Sequence, residues 1–147
     1  MRMEDWAREF LLESRLAHLA TSTKNGKPQV IPICYVYDGD SLYSSIDEKP
    51  KRRSPTQLQR VLNIVENPSV SLVVDRYEED WSKLKYVLVR GSAEIVHIGE
   101  EHEHAVQLLR EKYPQYRQMK LEDRPVIKIK PVGVFAWSTI IVKSRPA

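Results

Sequence analysis

The 147-residue chain is poor in the residues that build familiar reactive sites. Cys34 is its one cysteine, which excludes an intrachain disulfide and any cysteine-based zinc knuckle. The five glycines stand at 26, 39, 91, 99 and 133, and no two have the spacing of a dinucleotide fingerprint or a phosphate loop. Gly-x-Ser-x-Gly is absent, and with it a nucleophile elbow. No uncharged run exceeds the twelve residues from Pro131 to Val142. A bilayer-spanning helix needs about 20, so no membrane span is expected. The start, Met1-Arg2-Met3-Glu4-Asp5-Trp6, has early acids and no apolar signal core, and a cytoplasmic address is expected from it.

Acidic residues are missing from one stretch. Lys49 to Arg60 carries five basic side chains (Lys49, Lys51, Arg52, Arg53, Arg60) and no acid, while the rest of the chain has 18 basic and 20 acidic residues. The formal charge of +3 therefore comes from one segment, which argues against a nucleic-acid coat and for one local anion site. Lys49-Pro50-Lys51-Arg52-Arg53 follows a predicted strand and precedes a predicted helix with Thr56 as its N-cap. Cations beside a helix start suit a phosphate; the plain alternative is a solvated loop.

What is present is enough for a core. Hydrophobic residues make up 41% of the chain, with three Trp and seven Tyr, which argues against disorder and fits a single domain over residues 1–147. Trp6, Phe10 and Leu11 share a face of a predicted helix over 4–14. Strands are expected at Leu16–Thr23, Gln29–Tyr37 and Ser41–Ile46, joined by turns at Asn25-Gly26 and Asp38-Gly39-Asp40 into an antiparallel meander. A helix from about Thr56 to Glu66 carries Leu58, Val61, Leu62 and Val65 at helical spacing and stops at Asn67-Pro68. Val70–Asp75 reads as a central strand, apolar on both faces. Residues 76–83 read as loop, Lys85–His97 as a long strand with a bulge at Gly91, and Glu100–Lys112 as a helix with Ala105, Leu108 and Leu109 inward. Val126–Ile129 and Val134–Val142 read as two last strands. Six or seven antiparallel strands with three short helices make a mainly β (α+β) fold, a small barrel with helical caps. An open α+β sheet is the alternative.

Metal chemistry has little to stand on. His102 and His104 are two residues apart on a helix and face different ways, so surface histidines are expected there. His18 reads as a barrel-wall residue. Cys34 lies in an apolar strand, where a thiol behaves as a small hydrophobe. Asp75, Glu78, Glu79 and Asp80 read as a solvated loop. Trp81, Tyr77, Tyr86 and Trp137 suit stacking on a planar ligand or packing at a subunit interface.

Several strings carry a family likeness: Asp38-Gly39-Asp40-Ser41-Leu42-Tyr43-Ser44, Lys49-Pro50-Lys51-Arg52, Asn67-Pro68-Ser69-Val70-Ser71-Leu72, Asp80-Trp81-Ser82-Lys83-Leu84, Val89-Arg90-Gly91-Ser92-Ala93 and Ala136-Trp137-Ser138. Over about residues 10–140 the chain resembles the pyridoxamine-phosphate-oxidase-like split β-barrel proteins that bind flavin or deazaflavin. Within them it is most similar to a subgroup of coenzyme F420-dependent enzymes. The resemblance implies a six- to seven-stranded antiparallel split β-barrel and a homodimer with cofactor sites at the subunit interface. It implies a phosphate held by Ser44, Ser45, Lys49, Lys51 and Arg60. A tricyclic ring would lie near Pro32, Ile33 and Cys34, with Trp137 approaching from the partner chain. Related flavin oxidases carry an Arg-Lys pair where this chain has Gln59-Arg60. The activity it implies is hydride transfer between coenzyme F420 and a small organic substrate, with FMN as the alternative cofactor and a non-catalytic cofactor-, haem- or nucleic-acid-binding barrel as the remaining one. Neither nucleic acid nor membrane is expected as a partner.

Overall fold

The computed structural model describes residues 2–46 and 58–140. Helix α1 (Asp5–Glu13) places Ala7, Phe10 and Leu11 inward and ends where Ser14 returns both its N–H and its hydroxyl to the Phe10 carbonyl. Strands β1 (Ala17–Ser22) and β2 (Pro28–Ile33) form a hairpin, and Gly26 takes the positive φ of +86° that its turn requires. Strands β3 (Val36–Tyr37) and β4 (Leu42–Ser45) form a second hairpin, whose turn is fixed by the Asp38 carboxylate accepting the N–H groups of Asp40 and Ser41 at 2.8 Å each. Helix α2 (Gln59–Glu66), β5 (Ser69–Arg76), β6 (Lys85–Val96), α3 (Glu100–Lys112) and β7 (Val126–Ser138) complete the chain, with 3₁₀ turns at Trp81–Lys83 and Pro114–Gln118.

All strand pairs are antiparallel, and the seven strands form one sheet in the order β2-β1-β5-β6-β7-β4-β3. The sheet curls into a half-barrel, the split-barrel α+β architecture. The run expected as one strand from Gln29 to Tyr37 is thus two strands on opposite sheet edges. The corner at Cys34-Tyr35 is held from outside: the Tyr35 N–H donates to the Tyr113 hydroxyl at 3.1 Å, and the Ser44 hydroxyl donates to the Cys34 carbonyl at 2.8 Å. Cys34 sits at this corner and is half-buried, not inside a strand. The two strands expected near the end are one, β7, which passes through Pro131. Beyond Ile129, β7 pairs only with β6, so a proline without an N–H costs no ladder bond on its open side. The expected irregularity at Gly91 is present as a register shift between Arg90 and Gly91. A Cβ there would meet the Lys130 carbonyl oxygen at 2.7 Å and Ile129 Cγ2 at 2.8 Å.

Two apolar cores result. One fills the half-barrel, where Leu19, Leu42, Leu72, Val87 and Ile127 meet α1 and α2. The other lies between α3 and the outer side of β3–β4, around Tyr43, Leu109, Leu121 and Val126. Helix α2 turns a different face inward from the expected one. Val61, Asn63 and Ile64 are buried, whereas Leu62 and Val65 are exposed. Thr56, the expected cap, lies outside the described residues.

Candidate functional site

Alternation along β4 divides its two serines. Ser44 shares the inward face with Leu42 and holds the Cys34 corner, while Ser45 shares the outward face with Tyr43. Ser45 Oγ is buried and has no hydrogen-bond partner among the described residues. An orphaned buried hydroxyl costs about 1–3 kcal/mol, and this one stands at the strand end that leads into the basic segment. Lys49 and Lys51 lie outside the described residues. Arg60 occupies the first turn of α2 and is half-buried. Its neighbour Gln59 is exposed and donates to Asn63 Oδ1 at 2.7 Å, and the buried Asn63 donates to Thr21 Oγ1 at 3.0 Å. Asn63 therefore ties α2 to β1, and Gln59 braces its amide.

On β2, Pro32 is exposed on the outer side of the sheet and Ile33 is buried in the half-barrel. Trp137 is on the outer side too, near the far end of β7. Ser45 pairs with Val126, at the other end of that strand, and eleven residues of strand span on the order of 30 Å. One chain thus brings together Ser44 and the Ile33–Cys34 corner, and it holds Trp137 well apart from both serines.

The outer face around Trp137 is aromatic and open. Tyr86 lies opposite Trp137 in register, with ring centroids 5.9 Å apart, and Phe135 is 5.9 Å from Tyr86 on the other side. Phe135 is 52% exposed and Trp137 38%. A groove of about 380 Å³ runs from Trp137 and Tyr86 to His18, Arg76 and Lys85. His18 is the register partner of both Pro32 and Val73. Burial, helped by the Arg76 charge, holds the Lys85 ammonium below its ordinary pKa.

The sequence profile of the pyridoxamine 5′-phosphate oxidase family matches residues 3–138. The chain belongs to that family. Among solved structures of the same fold is a conserved hypothetical protein of Mycobacterium tuberculosis, with a TM-score of 0.78 at 21% identity, covering 100% of this chain and 91% of that one. The haem storage protein HutZ of Vibrio cholerae follows at a TM-score of 0.72 and 20% identity, over 95% and 99% of the two chains. An F420 reductase has a TM-score of 0.64 at 24% identity, over 90% and 98%. None of the curated protein sequences matches the chain significantly.

Within this family member the α3 side of the sheet is closed, and its charged groups are paired while Ser45 Oγ is not. The Tyr43 hydroxyl donates to Glu101 Oε2 at 2.9 Å, and the Lys128 ammonium lies 2.6 Å from the same oxygen. His104 meets Asp38 at 3.0 Å. His102, expected at the surface, is buried, with Nε2 2.6 Å from the Arg124 carbonyl. The turn after α3 has to be held down, and an inward imidazole does so. No group of three or more potential metal ligands occurs among the described residues, and none of their helices is long and apolar enough to cross a membrane. Sequence reasoning missed Phe135 as a member of the exposed aromatic strip. The i, i+2 spacing of Phe135 and Trp137 was the available signal, since it places two aromatics on one face of a strand.

Proposed function

We propose that the protein is an oxidoreductase that uses coenzyme F420 for hydride transfer to or from a small organic substrate, with the cofactor held where two copies of the chain meet. The observation that carries this reading is the orphaned Ser45 hydroxyl at the head of the basic segment, a buried donor that lacks an acceptor. A phosphate oxygen supplies that acceptor, and the charges of Lys49, Lys51 and Arg60 neutralise it. The bound deazaflavin supplies or accepts the hydride. The chain's part is to hold and cover it. Ser44 fixes the Cys34 corner, so the backbone from Pro32 to Cys34 forms a firm wall for the ring. Ile33 contributes through its backbone, because its side chain fills the core.

The separation of Ser45 from Trp137 along β7 supports the homodimer in this reading, with Trp137 supplied to the ring by a second copy. Exposed Phe135 and Trp137, beside Tyr86, would give that copy an apolar surface to cover.

FMN is the second reading, supported by the family to which the chain belongs. Haem is the third, since a haem storage protein shares the fold at a TM-score of 0.72. Protein made in a host containing all three cofactors separates them by absorption spectrum and mass. The proposal expects a deazaflavin spectrum, lost when Lys49 and Lys51 are both changed to Ala. A flavin spectrum or a Soret band in its place overturns it.

A further inference from the structure

Strand alternation sends the neighbouring charges of β5 and β6 to opposite faces of the sheet. Arg76 and Lys85 point inward, with Arg76 Cζ 5.7 Å and Lys85 Nζ 4.4 Å from the centroid of Phe10, and Glu9 and Glu13 of α1 act on Lys85 there. Asp75 points outward. Its register partner is Tyr86, which in turn stands opposite Trp137 with ring centroids 5.9 Å apart. Asp75 is exposed and has no ion pair among the described residues. Tyr77, 62% exposed, lines the same groove, and the Trp81 indole N–H donates to its hydroxyl at 3.3 Å. Glu78 and Glu79 follow in the chain, and they too have no ion pair among the described residues. His18 forms the wall on the side of β1, and Val73, its register partner, lies between it and β6. The outer face of the groove thus combines aromatic rings with an unneutralised carboxylate.

We propose that this groove is the substrate subsite and that it takes an organic cation, its positive nitrogen on the Tyr86–Trp137 shelf and against the Asp75 carboxylate. Ring faces attract positive charge, and acids at the rim raise the local concentration of cations. At about 380 Å³ the groove is in the range of small-molecule sites, roughly 300–1,000 Å³. The assignment to substrate rests on the hydride-transfer reading above. Trp137 serves the ring held by the second copy in that reading, so a ligand beside Trp137 adjoins that ring.

Calorimetric titration of the full-length protein near neutral pH with N-methylquinolinium and with quinoline, the same bicycle without the charge, tests this. The proposal expects the cation to bind at least about tenfold more tightly than quinoline, the difference expected of a partly desolvated cation on an aromatic face beside a carboxylate. Asp75→Asn is expected to leave no more than the few-fold preference of an exposed ring, with circular dichroism unchanged. Asp75→Glu, which keeps the charge, is expected to keep the preference. Equal affinity for the two ligands, or a full preference that survives Asp75→Asn, overturns the proposal. The two readings fail separately. Preference for the cation without F420 binding supports the groove as a cation site and overturns the cofactor reading, whereas F420 binding without that preference overturns the groove alone.

Discussion

Over β3, β4 and the first residues of β7, the outer surface of the sheet lies beneath α3, and apart from the Ser45 hydroxyl its polar groups are matched: Tyr43 and Lys128 with Glu101, and Asp38 with His104. Over β5, β6 and the last residues of β7, described residues leave Phe135 and Trp137 exposed beside a half-buried Tyr86. The same sheet thus carries a finished half and an unfinished one. Burial of apolar side chains and pairing of charges stabilise the first half as scaffold. The second half keeps exposed apolar surface, the mark of a surface that something else completes.

The comparison breaks most easily on equal truncations made in each half. Leu109→Ala, in the covered core, is expected to cost about 2–5 kcal/mol, whereas Phe135→Ala on the open face should change stability by no more than about 0.5 kcal/mol. Urea denaturation measures both, and a loss for Phe135→Ala as large as that for Leu109→Ala would mean that the open face is packed. Gly91→Ala comes next. Its Cβ would run into the Lys130 carbonyl oxygen, a backbone atom that cannot step aside, so a loss of about 1–3 kcal/mol is expected. An unchanged denaturation midpoint would contradict the close β6–β7 approach. Tyr43→Phe, which removes one hydroxyl from the Glu101 pair, should cost about 0.5–1.5 kcal/mol and leave binding at the open face untouched.

Protons sharpen the same contrast, because the groups with large shifts belong to the closed side. Burial, with the Arg15 charge adding to it, holds the Lys112 ammonium down at about 8, against its ordinary 10.5. Between those two values the unfolded chain binds more protons than the folded one, so this lysine makes stability rise with pH. Above pH 10 the tyrosines oppose it, since burial pushes the Tyr113 hydroxyl up to about 12 and the unfolded phenol ionises first. The expected profile rises from pH 8 to 10 and then falls, and Lys112→Met should flatten the rise. A rise that persists in Lys112→Met would show that the Lys112 ammonium is not buried as described. At the acid end, hydrogen bonds from Ser41, His104 and Asp40 outweigh burial and hold Asp38 below its ordinary value, and Lys128 does the same for Glu101. Their contribution is present above the ordinary carboxylate range and is lost as pH falls through the lowered values.

Local signals were legible where one residue decides the backbone. Asn25-Gly26, Asp38-Gly39-Asp40 and Asn67-Pro68 each ended the element they were expected to end, and Gly91 marked the bulge. The errors arose where a distant residue decides. Tyr113, 78 positions along the chain, holds the corner that splits one apolar run into β2 and β3. Asn63 turns inward because Thr21 needs its amide, which rotates α2 away from its most apolar stripe. Pro131 reads as a break, yet it sits where β7 has an open side. Ser44, Ser45 and Trp137 could be named from family likeness, but Arg76 and Lys85 meet only through the β5–β6 register, which no local pattern displays.

The most direct test of the central claim is a fluorescence titration of coenzyme F420 with the wild-type protein and with Trp137→Ser, run beside an identical titration with FMN. Saturable F420 binding by the wild type is expected, with FMN binding at least about tenfold weaker and F420 affinity lowered by a similar factor in Trp137→Ser, since base- or ring-stacking on an aromatic is worth about 1–3 kcal/mol. Tight FMN binding with no F420 binding, or F420 affinity untouched by loss of the tryptophan, would contradict it.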